Sequence, residues 1–446
     1  MNQIERRMAR PIISESASAE VLKNTSIPIL AGIVILLIGH YAFSRGNVVL
    51  TALCFSISAV LTLLFKRDFS ICLFLFLIPS NRILTIGPIS VLSIIALAHF
   101  LKYYFLFRHA GKMSIALLFS SILLSLYSCL QSAIDQSLSP LLSSIKIVLV
   151  LLFLTDVFKS TAIGREPTSM AEVMSIGIVF SVLIGQIADP SSLGDVERLT
   201  VGNESGQNVL GITCSFAADV LLLDMYKKGI SGSSLFMMIA MCIIGVMTGS
   251  RSFLLSFLIG FFCIIASALT SLSSKKILRM AAVLIAFLIL ALFVLEFIPA
   301  TREFLINLID RIVNPRNGDI SNDRFNIWVD YFEAFRDNAD VLLFGTSMLS
   351  NFGLEIVAHN FVLEQIASYG IIGSLFVFSA YCCAFRDMEE GQIFKTQTMV
   401  RRTIADFSPL LVLLSASFFS HTLLGIPQTT MLFISIVLIW RPYGKK

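Results

Sequence analysis

Charged residues are scarce in this chain. Only 14% of the 446 residues are Asp, Glu, Lys or Arg, whereas 56% are hydrophobic, and the mean hydropathy is +0.85. A soluble domain carries about 25% charged residues, so this composition excludes a soluble globular protein. Apolar runs of about 17–25 residues, long enough to span a bilayer as a helix, recur along nearly the whole chain. The sequence predicts an all-α, polytopic transmembrane helix bundle that forms a single domain over residues 1–446.

The motifs of common cofactor and metal sites are also missing. The chain has no Walker A sequence, no HExxH, no CxxC and no GxGxxG after a strand. All eight cysteines fall in apolar runs, so no disulfide framework is indicated. We expect no cofactor and no metal site built from histidines, and carboxylates leave a divalent ion open. Nothing in the distribution of charge points to nucleic acid.

The apolar runs predict about 12–14 spans, with fourteen candidate segments. The first is interpreted as an uncleaved anchor, because no small-residue cleavage pattern follows it. The predicted spans lie near 27–43, 48–65, 69–80, 87–107, 113–132, 139–158, 171–187, 209–225, 234–248, 253–271, 280–299, 359–384, 405–421 and 429–440.

The positive charges predict the orientation of these spans. If the N-terminus is cytoplasmic, most lysines and arginines fall in the inner segments, as the positive-inside rule requires. An even number of spans then places the C-terminus in the cytoplasm as well. Two outer loops are long, 188–208 and 300–358. The cytoplasmic side is basic, which suits anionic lipid headgroups.

The loop 300–358 contains five arginines and no lysine. A guanidinium binds phosphate in a bidentate manner, whereas lysine offers a point charge. The apolar spacing in 301–313 and again from Phe325 to Phe335 predicts two amphipathic helices, separated by the breaker 314–318. In the second helix, one face is predicted to be apolar. We expect these helices to lie on the membrane surface or to cover the bundle as a lid. The apolar face is predicted to hold Phe325, Trp328, Val329, Phe332 and Phe335.

Four residues are candidates for binding an anionic substrate. Arg324 and Trp328 lie four residues apart on the second predicted helix and therefore share a side, although an ordinary surface pair has the same spacing. Arg251 lies in a tight outer turn at the depth of lipid phosphates, where an interfacial arginine is equally expected. Arg198 lies in a Gly/Asn/Gln-rich segment before a span, where backbone N–H groups can bind an anion. A plain polar turn would also explain Arg198.

A histidine stands where the large loop meets the next span. His359 is predicted at the N-terminal end of that helix, where the dipole favours bound anions and a neutral imidazole. Such a group can serve as the general base for a hydroxyl nucleophile. Asn360 and Glu364 follow on the same helix, four residues apart, and are candidates for binding the substrate. An ionisable residue inside a span is a functional candidate, and a structural role at the helix start is equally open for all three.

Together these residues resemble the O-antigen polymerase and O-antigen ligase superfamily. The resemblance covers about residues 195–380, and its specific part is the order and placement of loose motifs. These are Thr248-Gly249-Ser250-Arg251, Arg324-x-x-x-Trp328, Leu343-Phe344-Gly345, His359-Asn360-x-x-Leu363-Glu364 and Gly370-Ile371-Ile372-Gly373.

The resemblance implies an integral-membrane glycosyltransferase of the bacterial inner membrane with a periplasmic active site. The donor and the acceptor would be glycans linked to undecaprenyl pyrophosphate, and membrane lipids and a chain-length regulator protein are further partners that it implies. Arg324 and His359 would be catalytic. Arg198 matches less well, because the paired arginine–glycine loop motifs of the polymerases do not fit its spacing.

Two alternatives stay open on the sequence. The same family includes ligases, which transfer the glycan to lipid A–core. A polysaccharide or lipid transporter is the alternative of another class, and it should show ionisable residues near the midplane and repeated halves. Since no repeat is visible and the polar residues concentrate in one late loop, the sequence favours a polymerase of lipid-linked repeat units.

Overall fold

The computed structural model describes residues 13–106, 114–161, 166–188, 206–270, 324–354, 356–390, 403–419 and 425–440, with isolated residues between these ranges. Its helices are α1 (Ile13–Ser44), α2 (Val48–Leu64), α3 (Arg67–Leu77), α4 (Val91–Phe100), α5 (Ile115–Ile134), α6 (Ser139–Ser160), α7 (Pro167–Ala188), α8 (Gly206–Lys228), α9 (Gly232–Met247), α10 (Arg251–Thr270), α11 (Arg324–Asp337), α12 (Ala339–Phe344), α13 (Phe361–Glu390), α14 (Ser408–Phe419) and α15 (Ile426–Trp440).

Shorter elements join some of these helices. A small antiparallel hairpin of β1 (Thr85–Ile86) and β2 (Ile89–Ser90) precedes α4, and a π-helical turn, Leu101–Leu106, extends α4. Turns of 3₁₀ helix lie at Ile78–Ser80, Leu349–Phe352 and Ile404–Phe407.

The predicted helical membrane architecture is confirmed at the level of length and composition. Among the described residues, seven helices are long and apolar enough to cross a membrane, namely α1 from Thr25, α5, α6, α7, α8, α10 and α13. Shorter apolar helices include α2, α9 and α15. Every predicted span except 280–299 coincides with a helix of the described chain, and 280–299 and the predicted helix 301–313 lie largely outside the described residues.

The third predicted span is a half-length helix. α3 has 11 residues, about 16 Å at 1.5 Å per residue, against roughly 30 Å of hydrocarbon. Every side chain from Phe69 to Leu77 is buried. A helix that is apolar on all sides and buried on all sides belongs inside a bundle, and Pro79 in the following turn ends it. The chain then forms the β1–β2 hairpin and returns through α4.

Ion pairs tie the helices together at one end of the bundle, called here the basic end (the ends of α2, α6 and α8 and the starts of α3 and α7). Arg67 Nε lies 3.0 Å from Asp156 Oδ2, and His99 Nε2 lies 2.9 Å from the same oxygen. Lys227 pairs with Asp406. These contacts join ends that the alternating topology places on one side.

Hydrogen bonds tie together the opposite, loop end (the starts of α2, α6, α8, α10, α13 and α15, with α11 and α12). Asp135 Oδ2, after α5, accepts the backbone N–H of Ser347 at 2.6 Å and its hydroxyl at 2.7 Å. Ser250 Oγ donates to Asn208 Oδ1 at 3.2 Å. The C-terminal part of the large loop is therefore fixed to the helix ends that are predicted to lie on the outer side.

Candidate functional site

The part of the large loop from α11 onward forms, together with the first half of α13, a second, small apolar core at the loop end. It is separate from the main core of the bundle and includes buried residues of α11, α12 and α13. Its members are Tyr331, Ala334, Phe335, Val341, Leu354, Ala358, Leu363 and Ala367. This core fixes α11 and the segment 354–360 against the start of α13, so the residues between them have defined positions.

The inward face of α11 differs from the predicted one. Trp328 and Phe335 point inward as predicted, together with Tyr331, but Phe325 and Phe332 are 62% and 60% exposed. The reason is hydrogen bonding, because a buried indole N–H or phenol O–H needs an acceptor. Trp328 Nε1 donates to the carbonyl of Ala358 at 2.8 Å, and the Tyr331 hydroxyl donates to that of Ile356 at 3.2 Å.

The outward face of α11 is an exposed apolar stripe. The residues that form it are Phe325, Val329 and Phe332. α11 therefore has one apolar stripe that packs against the protein and another that faces outward. Both expectations for this segment, a lid over the bundle and a helix on the membrane surface, fit this arrangement. Trp328 itself packs edge-on against Phe418 of α14 with ring centroids 5.9 Å apart.

Trp328 therefore fixes the segment before His359 through its hydrogen bond to the backbone carbonyl of Ala358. These contacts explain the position of Trp328 without its predicted role in substrate binding beside Arg324. Burial raises the pKa of Tyr331 to about 12, and the nearby carboxylate of Glu364 adds to the increase. The phenol is thus a stable donor at any physiological pH, which suits a structural hydrogen bond.

His359 has an unusual backbone conformation. Its φ of 51° lies in the left-handed region, which costs a non-glycine residue about 1–3 kcal/mol. The cost is offset by contacts on both sides: Glu364 Oε1 accepts the His359 N–H at 2.9 Å, and Asn360 Oδ1 caps α13 by accepting the N–H groups of Val362 and Leu363 at 3.0 and 3.2 Å. The half-buried side chain is consequently presented by a fixed backbone.

The prediction that His359 begins the helix is wrong by two residues. α13 begins at Phe361, and Asn360, 4% exposed, is its N-cap. A helix start at His359 is incompatible with its positive φ. Asn360 and Glu364 were predicted as substrate ligands, and both of their side chains accept backbone N–H groups here.

Two of the predicted arginines lie close to each other. Arg324 is the first residue of α11 and Arg251 the first of α10, and both are partly buried. Burial lowers the pKa of Arg324, and the positive charge of Arg251 lowers it further. Two guanidinium groups that lie within electrostatic range of each other, each on the first residue of a helix, create a positive potential that an oxyanion would relieve.

The turn that carries Arg251 is rigid. Gly249 has a φ of 60°, which glycine adopts without strain. The Thr248 hydroxyl donates to the carbonyl of Gly245 at 2.6 Å and accepts the N–H of Ser250 at 3.2 Å. These hydrogen bonds fix the position of Arg251 in the tight turn that the sequence predicted.

The predicted residue Arg198 lies outside the described residues. Its neighbour Leu199 donates its N–H to the carbonyl of Met247 at 2.8 Å, just before the turn that carries Arg251.

The loop end also contains a cavity of about 570 Å³. It is lined by the β1–β2 hairpin region, by the starts of α6, α8, α13 and α15, and by the segment 346–349. Glu364, which holds the His359 backbone, is one of its lining residues, and so are the cations Arg82 and Lys146. Burial lowers the pKa of Arg82. The volume falls in the range of about 300–1,000 Å³ typical of ligand sites.

The wall of the cavity next to the large loop is built on a break in α13. Gly370 has a φ of 64°, and its backbone packs directly on that of Gly345, whose φ is 67°. The break leaves carbonyls of α13 without helical partners. They are bonded instead by α5 and the loop: Gln131 Nε2 donates to Ser368 at 2.6 Å, and the N–H of Thr346 donates to Ala367 at 2.8 Å.

The site thus brings together most of the predicted residues but not all in the predicted roles. Arg251 lies near Arg324, whereas His359, Asn360 and Glu364 form one bonded segment held by Trp328. Arg82 was not predicted as a cavity residue. Lys146 lies inside a predicted span, where the sequence left open a pairing role or the lining of a substrate cavity, and it lines the cavity. Within the described part of the chain, no group of three or more His, Cys, Asp or Glu side chains is placed to hold a metal ion.

Comparison with protein-family models, with curated proteins and with solved structures finds no match to this chain.

Proposed function

We propose that this protein is a membrane glycosyltransferase that joins glycans carried on polyprenyl pyrophosphate, as the sequence resemblance implies. The observation that carries the proposal is the pair Arg324 and Arg251. The charge of Arg251 lowers the pKa of Arg324, and both lie at the end of the bundle where Glu364 fixes the backbone of His359. An oxyanion site and a potential base at one end of an apolar bundle suit a substrate with a lipid tail, a pyrophosphate and a sugar.

The proposed reaction follows from charge. The bond between sugar C1 and the pyrophosphate oxygen breaks, and the leaving pyrophosphate keeps the electron pair. Arg324 and Arg251 stabilise that negative charge more in the transition state than in the ground state. An acceptor hydroxyl oxygen forms the new bond to C1, and its proton passes to an imidazole nitrogen of His359.

The α11 lid supports this assignment. Its inner face packs on the segment before His359, and its outer apolar stripe of Phe325, Val329 and Phe332 suits contact with lipid. A substrate held under such a lid would be shielded from water, which would suppress hydrolysis of the donor. We place the site on the periplasmic side of a bacterial inner membrane, with both termini in the cytoplasm.

Within this proposal a polymerase is our first choice and a ligase the alternative. Deletion of the gene should leave single repeat units on lipid A–core if the protein is the polymerase. Unmodified core together with intact polymer on the carrier lipid would point to the ligase instead. Purified protein in nanodiscs, supplied with lipid-linked repeat units from the deletion strain, should produce a ladder of longer glycans on gels.

A transporter is the candidate of another class, and specific observations favour it. α3 is a half-length helix buried in the bundle, α13 is broken at Gly370, and Asp219 is 1% exposed inside α8. Broken helices and buried ionisable groups are features of transporters. The nanodisc assay separates the two classes, because elongation without a membrane gradient excludes a purely transporting protein.

A further inference from the structure

The cavity beside His359 contains two cations that the proposed mechanism does not use. Arg82, from the turn before the β1–β2 hairpin, and Lys146, from the first half of α6, both line it. The carboxylate in the same wall, Glu364, is already bonded to the His359 N–H. The cavity therefore offers two positive charges to a ligand, against the one negative charge of Glu364.

Helix N-termini add to this positive potential. The lining residues include Ser90, the N-cap of α4, Ser139 at the start of α6, Val209 in the first turn of α8, Glu364 in the first turn of α13 and Ile426 at the start of α15. Each N-terminus carries about half a positive charge. Five helices starting at one cavity form a binding environment for an anion that no single side chain would create.

The cavity is also lined by side-chain amides, those of Asn81, Gln365 and Gln428. Amide donors and acceptors beside cations suit a ligand that combines sugar hydroxyls with phosphate.

The cavity is distinct from the arginine pair. Arg251 and Arg324 do not line it, and the start of α8 separates the two places. Val209 faces the cavity, whereas Asn208 is bonded to Ser250 in the turn that carries Arg251. Glu364 lies on the cavity and holds His359, so the histidine backbone is anchored to the cavity wall.

We propose that the cavity is a second phosphate-binding site, in which Arg82 and Lys146 bind the pyrophosphate of the acceptor while the side-chain amides bind its sugar. This inference rests on the proposed glycosyltransferase function and deepens it. A polymerase must hold two polyprenyl-pyrophosphate glycans at once, and the donor's leaving group would occupy the Arg251–Arg324 site. The acceptor's own link to pyrophosphate stays intact during the transfer.

The test counts bound ligands with farnesyl pyrophosphate as the probe. Native mass spectrometry of the full chain in phosphatidylcholine nanodiscs should show two molecules per chain. Arg82→Gln and Lys146→Met should each weaken one of the two binding events at least tenfold, the order expected for losing one charged contact. Arg324→Gln should weaken the other event. Arg82→Lys should keep part of the affinity, which separates charge from folding.

Arg45→Gln is the matched control, because Arg45 is exposed at the same end of the bundle, stacked near Tyr41, and does not line the cavity. It should leave both binding events unchanged. The inference would be overturned if the wild-type chain binds only one probe molecule and Arg324→Gln removes it. It would also be overturned if both binding events survive in Arg82→Gln and Lys146→Met. Loss of the second event in nanodiscs that contain phosphatidylglycerol would also overturn it, since the cavity would then bind a phospholipid headgroup.

Failure of the proposed function is a different result. Wild-type protein would then fail to elongate lipid-linked glycans whatever the number of bound probe molecules. If the function holds and only the inference fails, the protein elongates glycans and the Arg82→Gln and Lys146→Met variants elongate them at the wild-type rate.

Discussion

At the scale of single residues, binding of the leaving pyrophosphate by the arginine pair depends on the planar shape of the guanidinium group as much as on its charge. Arg324→Lys keeps a positive charge but loses the bidentate fork. We expect it to be nearly as damaging as Arg324→Ala, with a loss of roughly two to three orders of magnitude in rate. The measurement is the initial rate of glycan elongation in nanodiscs, with insertion of each variant verified.

Arg336 provides the control on the same helix. It is exposed at the end of α11 and bonded to its neighbour Asp337 at 2.9 Å. Arg336→Ala should leave the rate within about twofold, because surface pairs contribute little. If Arg324→Lys is as mild as Arg336→Ala, Arg324 does not bind the leaving group.

His359 combines backbone strain with a proposed catalytic side chain, so its two roles can be separated. In His359→Gly the left-handed backbone is no longer strained, and stability should be unchanged or higher by about 0.5–1 kcal/mol. Elongation should still fall by about 10²–10⁴-fold if the imidazole is the base. Thermal unfolding and elongation rate, measured on the same preparation, test this pair of expectations.

A glycine variant that keeps wild-type elongation would remove His359 from the mechanism. A variant that loses both stability and activity would mean that the side chain mainly packs. His359→Gln adds a further comparison, because it keeps a polar side chain of similar size and lacks a group able to take the proton.

At the scale of elements, the break in α13 depends on close contact between two glycines. A Cβ placed on Gly370 would lie 2.3 Å from the carbonyl oxygen of Leu343, and φ there is 64°. Gly370→Ala should therefore separate α13 from the turn at Gly345, shift the cavity wall and reduce both stability and elongation. We expect a loss of several kcal/mol in stability, because the clash is with backbone that cannot move aside.

Gly353→Ala is the control for backbone strain alone. Gly353 also has a positive φ, 75°, but nothing lies within 4 Å of the added Cβ. This variant should cost only about 1 kcal/mol. Equal thermal stability of the two variants would show that the contact between Gly345 and Gly370 is unimportant.

At the scale of the whole molecule, the two ends of the bundle differ in their contacts. The basic end holds the Lys–Asp and Arg–Asp pairs, and the loop end holds the lid, the arginine pair and the cavity. We expect the loop end to face the periplasm. Cysteine placed at Asn351, which is exposed in the 3₁₀ turn after α12, should react with an impermeant maleimide in intact spheroplasts.

Lys66→Cys is the matched position at the basic end, exposed just before α3. It should react only after lysis. The wild-type chain, whose cysteines all lie in helices, measures the background. Reaction of Lys66→Cys and protection of Asn351→Cys in intact spheroplasts would reverse the orientation and move the proposed site to the cytoplasm.

The sequence by itself determined the parts of this protein that depend on local chemistry. Apolar runs separated by short polar segments predicted the helices. An apolar segment inside a membrane must satisfy its backbone hydrogen bonds internally, and few structures other than a helix do so. The tight turn at Thr248-Gly249-Ser250 and the helix from Arg324 were likewise predicted from a few neighbouring residues.

Only the tertiary structure decided which residues meet. The inward face of α11 follows from carbonyls of Ile356 and Ala358 that accept bonds from Tyr331 and Trp328, and no periodicity in α11 encodes those partners. The backbone contact between Gly345 and Gly370 joins two segments that are far apart in the chain, and the positive φ of His359 is held by its hydrogen bond to Glu364. The cavity with Arg82 and Lys146 likewise exists only where the starts of several helices converge, since convergence is a property of packing and not of any one segment.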